Sequence, residues 1–151
     1  MTMQDLNSNV APVHAIAAQT ISQAGGALVS GNVDLAGFNA AQLVVHYGDI
    51  DEMGASPQGA AQIAVKLEHA DDDGSGAPAA YAEVSAADVT GAGSVAAGVV
   101  ATVVSDLTPT AVGYLGDKRF LRITLTPTGL TNGGPVGVLV NKGHPRHAPV
   151  S

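Results

Sequence analysis

The chain has 151 residues, with thirteen Asp and Glu against six Lys and Arg for a net charge of −7, and it contains no cysteine. That length holds one domain with a continuous core and is too short for two full-sized ones. Without cysteine there is no disulfide framework, no zinc–thiolate site and no thiol nucleophile.

Apolar residues make up 46% of the chain but aromatics only 3%, namely Phe38, Tyr47, Tyr81, Tyr114 and Phe120. The core must therefore be built from Val, Ile, Leu and Ala, and so thin a core favours help from neighbouring subunits. The chain opens with MTMQDLNSNVAP, which has no Lys or Arg before its first apolar stretch and so does not read as a secretory signal. The longest mostly apolar run, VAAGVVATVV at 95–104, is far short of the ~20 residues that cross a bilayer. A soluble, unexported protein with no membrane partner is expected, with residues 1–12 as a flexible N-terminal arm.

From residue 13 onward, short alternating stretches are punctuated by turn residues about every ten positions, the pattern of an all-β domain. The candidate strands are 13–22, 26–35, 41–50, 61–70, 79–85, 98–105, 111–116, 119–127 and 136–141. Between them lie AGG, AGFN, GASPQG, DDDGSGAP, TGAGS, DLTPT and TGLTNGGP, which supply turn geometry. In AVKLEHA, Val65 and Leu67 share one face while Lys66 and Glu68 share the other. In RFLRITLTP, Leu121, Ile123 and Leu125 point to the core, and Phe120, Arg122, Thr124 and Thr126 point outward. These read as half-buried antiparallel strands. The expected fold is an antiparallel β-sandwich, jelly-roll-like, of eight or nine short strands over 13–142, followed by an extended arm at 143–151.

Several clusters invite a chemical reading. Asp71-Asp72-Asp73-Gly74-Ser75-Gly76 has the oxygen spacing of a calcium loop, but the twelfth position is Ala82 and no helix flanks it, so a carboxylate-rich hairpin turn is expected. Asp49, Asp51 and Glu52 form a second acidic group, and whether the two share an ion stays open at this point. His14, His46, His69, His144 and His147 are scattered and read as surface or edge residues. His144-x-x-His147 sits between Pro145 and Pro149, which bar a helix that would present both rings together. GAGSVAAG at 91–98 lacks the lysine of a phosphate loop and the third glycine of a dinucleotide fingerprint. No catalytic residue, cofactor or metal ligand is expected, and the chain does not read as an enzyme.

The charges are segregated along the chain. All thirteen acidic residues fall at or before Asp117, and five of the six bases, Lys118, Arg119, Arg122, Lys142 and Arg146, come after it. This suggests a molecule with two electrostatic ends, one suited to an acidic partner. Five dispersed cations on an acidic protein make a poor phosphate track, so nucleic acid is not expected as a partner.

LEHADDDGSG, GYLGDKRFLRITLT and GHPRHAP, in this order along residues 13–149, resemble the small structural proteins encoded near the major capsid gene of tailed bacteriophages, several of which are head decoration or cement proteins. The resemblance implies a non-enzymatic component of the virion, made in the host cytoplasm. It would sit on the outer face of the shell as a homotrimer or other symmetric cluster, bound to the major capsid protein. It also implies that Lys118, Arg119, Arg122, Lys142, His144, Arg146 and His147 contact that partner, with NKGHPRHAP as an extended clamp whose prolines lower the entropy of docking. A head–tail connector or tail protein, and a carbohydrate- or cell-surface-binding module, are the alternatives.

Overall fold

The computed structural model describes residues 6–54 and 60–147. Eleven strands occupy them: β1 (Val10–Ile21), β2 (Leu28–Val29), β3 (Val33–Asp34), β4 (Phe38–Tyr47), β5 (Gln62–Ala70), β6 (Ala82–Glu83), β7 (Val89–Thr90), β8 (Val99–Val103), β9 (Thr110–Tyr114), β10 (Phe120–Thr128) and β11 (Gly134–Pro145). A single 3₁₀ turn covers Ala86–Asp88, and among the described residues no helix is long and apolar enough to cross a membrane.

All strand pairs are antiparallel, and they form two sheets. The first runs β1-β11-β4-β9-β7; the second runs β2-β10-β5-β6, with β3 also on β10 and β8 also on β5. If β2 with β3 and β6 with β8 are each taken as one interrupted strand, eight positions remain, ordered 1-8-3-6 against 2-7-4-5, with β7 as an added ribbon. This is jelly-roll connectivity, so the expected all-β sandwich is what forms.

Two departures from the expected nine strands have local causes. Residues 26–35 break at Ser30–Asn32, where the Ser30 amide donates to the Ile123 carbonyl (2.8 Å) and the Ile123 amide donates to the Ser30 hydroxyl (2.9 Å). A side-chain oxygen thus stands in for a ladder carbonyl, as serine is able to do. The other addition is β7, which extends the first sheet beyond β9 through Val89 and Thr90.

Alternation builds the core. Leu121, Ile123 and Leu125 of β10 and Ile63, Val65 and Leu67 of β5 are all buried, and they meet Leu43, Val45, Val112, Val136, Val138 and Val140 of the first sheet. Each such side chain contributes about 1.5–3 kcal/mol on leaving water.

The expected arms are shorter than their sequence boundaries. Val10, Ala11 and Pro12 already pair with Gly143, Lys142 and Asn141 in β1–β11. At the other end β11 continues to Pro145, which faces Phe38, and the Arg146 amide then donates to the Gly37 carbonyl (2.8 Å). Residues 143–146 are thus a continuation of the sheet, because the start of β4 offers backbone groups that an extending β11 satisfies. Residues 1–5 and 148–151 lie outside the described residues.

Candidate functional site

Four segments converge at one end of the sandwich: the turn 35–39 leading into β4, the loop 71–78 after β5, the loop 115–119 before β10, and the end of β11. The first, third and last of these, with Tyr114, line an open cleft of about 530 Å³ whose lining includes Phe38, Asn39, Lys118, Arg119 and Arg146, while the loop 71–78 is joined to it through the Asp71–Lys118 and Asp72–Arg119 pairs. Five of the seven sequence-nominated residues, Lys118, Arg119, Lys142, His144 and Arg146, come from these segments. His147 follows directly and is exposed, as are His144 and Arg146.

The cations do not form a free positive surface, which corrects the expectation of two electrostatic ends. Arg119 forks onto Asp34, with Nε–Oδ1 at 2.9 Å and Nη2–Oδ2 at 2.8 Å, while its Nη1 reaches Asp72. Lys118 pairs with Asp71 at 2.9 Å and approaches Asp117 at 3.7 Å. Arg122 lies apart on the outer face of the second sheet, bound to Glu68 at 2.9 Å and stacked 4.2 Å over the Tyr81 ring. Lys142 sits 4.7 Å from the Phe38 ring centroid and reaches the Asp34 carbonyl at 3.4 Å. The physical reason is topological: antiparallel pairing lays β10, with Arg122 in it and Lys118 and Arg119 just before it, beside β3, which carries Asp34, and β5, which carries Glu68 and leads into Asp71 and Asp72.

The titration behaviour follows these contacts. The Arg119 hydrogen bond holds the Asp34 carboxyl below its ordinary value, and Asp34 in turn holds Arg119 further in its charged form. Hydrogen bonding to Asp71 raises Lys118. Such bidentate, charge-assisted contacts fix side-chain geometry more than they add net stability at a wet surface.

Arg146 differs from the others. Its Nε donates to Asn39 Oδ1 at 3.3 Å, and among the described residues it makes no ion pair. Its backbone is nonetheless held by Gly37. A fixed backbone with an unneutralised guanidinium at a cleft rim is suited to receiving a carboxylate from outside.

The acidic loop satisfies its own backbone. Asp72 Oδ1 accepts from the Gly74 and Gly76 amides at 2.7 and 3.0 Å, and Asp73 Oδ1 accepts from the Ser75 amide and hydroxyl, both at 2.7 Å. These contacts lower both carboxyls, for Asp72 chiefly through Gly76 and for Asp73 chiefly through the Ser75 side chain. In the other acidic group, Glu52 accepts from the Asn132 and Gly133 amides at 2.6 and 3.0 Å, and Asn132 is the main cause of its lowered pKa. Among the described residues no group of three or more His, Asp or Glu is arranged to hold a metal ion. No protein-family model, curated protein or solved structure matches this chain.

One histidine is not where the sequence reading put it. His69 is buried, in phase with Ile63, Val65 and Leu67 along β5, and its Nδ1 lies 2.9 Å from the Tyr114 hydroxyl with the rings edge to face. The same hydroxyl accepts from the Lys118 amide at 3.2 Å, and burial pushes the phenol up to about 12. Tyr114 therefore pins the loop bearing Lys118 and Arg119 to β5. The period-two phase of β5 was the signal available for His69; nothing local in the sequence pointed to its partner.

Proposed function

We propose that the protein is a virion structural component that decorates and stabilises a tailed-phage capsid by bridging shell subunits. The observation that carries this reading is the presentation of Arg146 at the cleft rim: the chain is zipped to Gly37 immediately before the side chain, and the guanidinium has no carboxylate among the described residues. An anchor held this way loses little conformational freedom when a partner's acidic side chain arrives. His144 and His147 flank it on the exposed surface and supply further polar contacts. The jelly-roll slab behind them, with most of its charges paired internally, transmits load between two gripped subunits instead of deforming. Modest contacts of this kind become strong when many copies bind one particle.

Electron microscopy of particles from the encoding phage, combined with Arg146→Ala, tests this. Density for the chain on the head surface at hundreds of copies, with occupancy reduced by Arg146→Ala and the isolated domain still folded, is the expected result. A chain found only in a ring at the portal or tail, or missing from particles, refutes the decoration role.

A further inference from the structure

We infer that the outer face of the β1-β11-β4-β9-β7 sheet is a self-association surface that seats a second copy of this chain. The inference rests on the proposed decoration role for its purpose, and its geometry stands independently.

The two sheets treat water differently. The outer face of the second sheet carries an ion-pair ladder in which Lys66 meets Glu83 at 2.8 Å and Glu68 at 3.4 Å, and Arg122 meets Glu68. That is the usual polar-out face of an antiparallel sheet. The five strands of the first sheet contain one charged side chain between them, Lys142, and its ammonium lies over Phe38 at the sandwich end. Their outward positions hold Ala40, Gln42, Val44, Ala111, Leu139 and Asn141. Depletion of charge, more than excess of apolar area, distinguishes the centre of an interface from ordinary surface.

The face is also smooth. A Cβ on Gly137 would fall 2.6 Å from the His46 ring, so the imidazole lies across β11 instead of standing away from it, and a Cβ on Gly113 would fall 2.6 Å from the Thr90 methyl. Beside it, Leu6 is 72% exposed and borders a groove of about 360 Å³ with Val10 and Gly143. Small side chains of this kind let a second sheet approach to the ~10 Å of face-to-face packing.

The size suffices. Ten residues from each of β1, β11 and β4 and the five of β9, at about 4.8 Å spacing and about 3.4 Å rise, give a footprint of roughly 570 Å² per copy, or about 1,150 Å² in a pair, which clears the ~1,000 Å² a specific interface needs. Charge selects the occupant. A charged partner would shed water here with no counter-charge to meet it, whereas copies of a chain with net charge −7 repel one another except where neither is charged.

Sedimentation velocity on the full chain at about 100 µM tests the inference, that concentration being high enough to populate even weak interfaces. Gln42 and Ala111 are exposed, so Gln42→Glu with Ala111→Glu, and separately Gln42→Lys with Ala111→Lys, charge the face without disturbing the core. Thr126→Lys, on the exposed outer side of the second sheet, is the control. The wild type and the control associate, and both double variants weaken association tenfold or more while keeping the wild-type circular dichroism. If Glu weakens and Lys strengthens association, net charge alone is at work and the inference falls. A monomeric wild type assigns the face to another occupant and also overturns it, leaving the Arg146 occupancy result to judge the decoration role separately.

Discussion

Tyr114→Phe removes one oxygen and leaves the ring volume in place, so it isolates the polar work of the buried phenol. Two contacts are lost: the one to His69 Nδ1 at 2.9 Å and the one from the Lys118 amide at 3.2 Å. His69 is buried, so its orphaned ring nitrogen costs about 1–3 kcal/mol; the Lys118 amide borders the open cleft and adds about 0.5–1 kcal/mol because water replaces the phenol. The sum is about 1.5–4 kcal/mol, or a melting temperature lower by roughly 3–15 °C for a chain of this length. Urea unfolding at neutral pH should show the lower midpoint with an unchanged slope. The phenol also gives a pH signature. The folded-state pKa is raised from 10.0 to about 12, so between those values the unfolded chain has released a proton that the folded chain retains, and stability falls as pH rises across that window. Below pH 10 this group contributes no pH dependence. The variant should therefore lie below the wild type at neutral pH and lose less stability on going alkaline. A neutral-pH loss under about 0.5 kcal/mol, with the same alkaline slope as wild type, would refute the assignment of Tyr114 as the pin of the β9–β10 loop.

Ser30→Ala leaves the Ile123 amide without its hydroxyl acceptor at the centre of the second sheet, at a cost of about 1–3 kcal/mol. Hydrogen exchange should report faster opening of the Ile123 amide in that variant. Arg119→Ala acts on the acid side. Asp34 owes its lowered pKa first to Arg119, so it contributes stability above its ordinary value of 3.8 that is lost as pH falls through the lowered one. Removing the guanidinium raises Asp34 and shrinks that acid-side dependence. Asp72 is held down first by the Gly76 and Gly74 amides and should move less, so a carboxyl titration by NMR in which Asp72 shifts more than Asp34 would contradict the geometry.

The charge network and the neutral sheet face are two consequences of one topology. Bringing β10 between β3 and β5 places nearly all the ionic partners on the second sheet and at the cleft end. Only Lys142 carries charge in the strands of the other sheet. An acidic protein built this way has one face on which a copy of itself can pack without like-charge contact.

By itself the sequence determined the in-or-out sense along the middle of the long strands; Phe120, expected to point outward, is instead buried at the start of β10, opposite Ala70 and covered by the Arg119 guanidinium 4.9 Å from its ring. Leu121, Ile123 and Leu125 are buried because period two places them on one side of β10, and DDDGSG forms a turn because its own Asp and Gly residues satisfy the local backbone. The jelly-roll class was legible from that rhythm, though its break at Ser30 was not, because the hydroxyl there answers an amide 93 residues away. Tertiary structure alone decided which charges meet. Arg119 and Asp34 are 85 residues apart and Arg122 and Glu68 are 54 apart, so the linear segregation of acids and bases became pairing once the strands lay side by side. It also decided that residues 143–146 continue a sheet, that His69 finds Tyr114, and that one face is left without charge. Alternation reports a residue's relation to its own strand, and strand neighbours are chosen by burial and backbone hydrogen bonding over the whole fold.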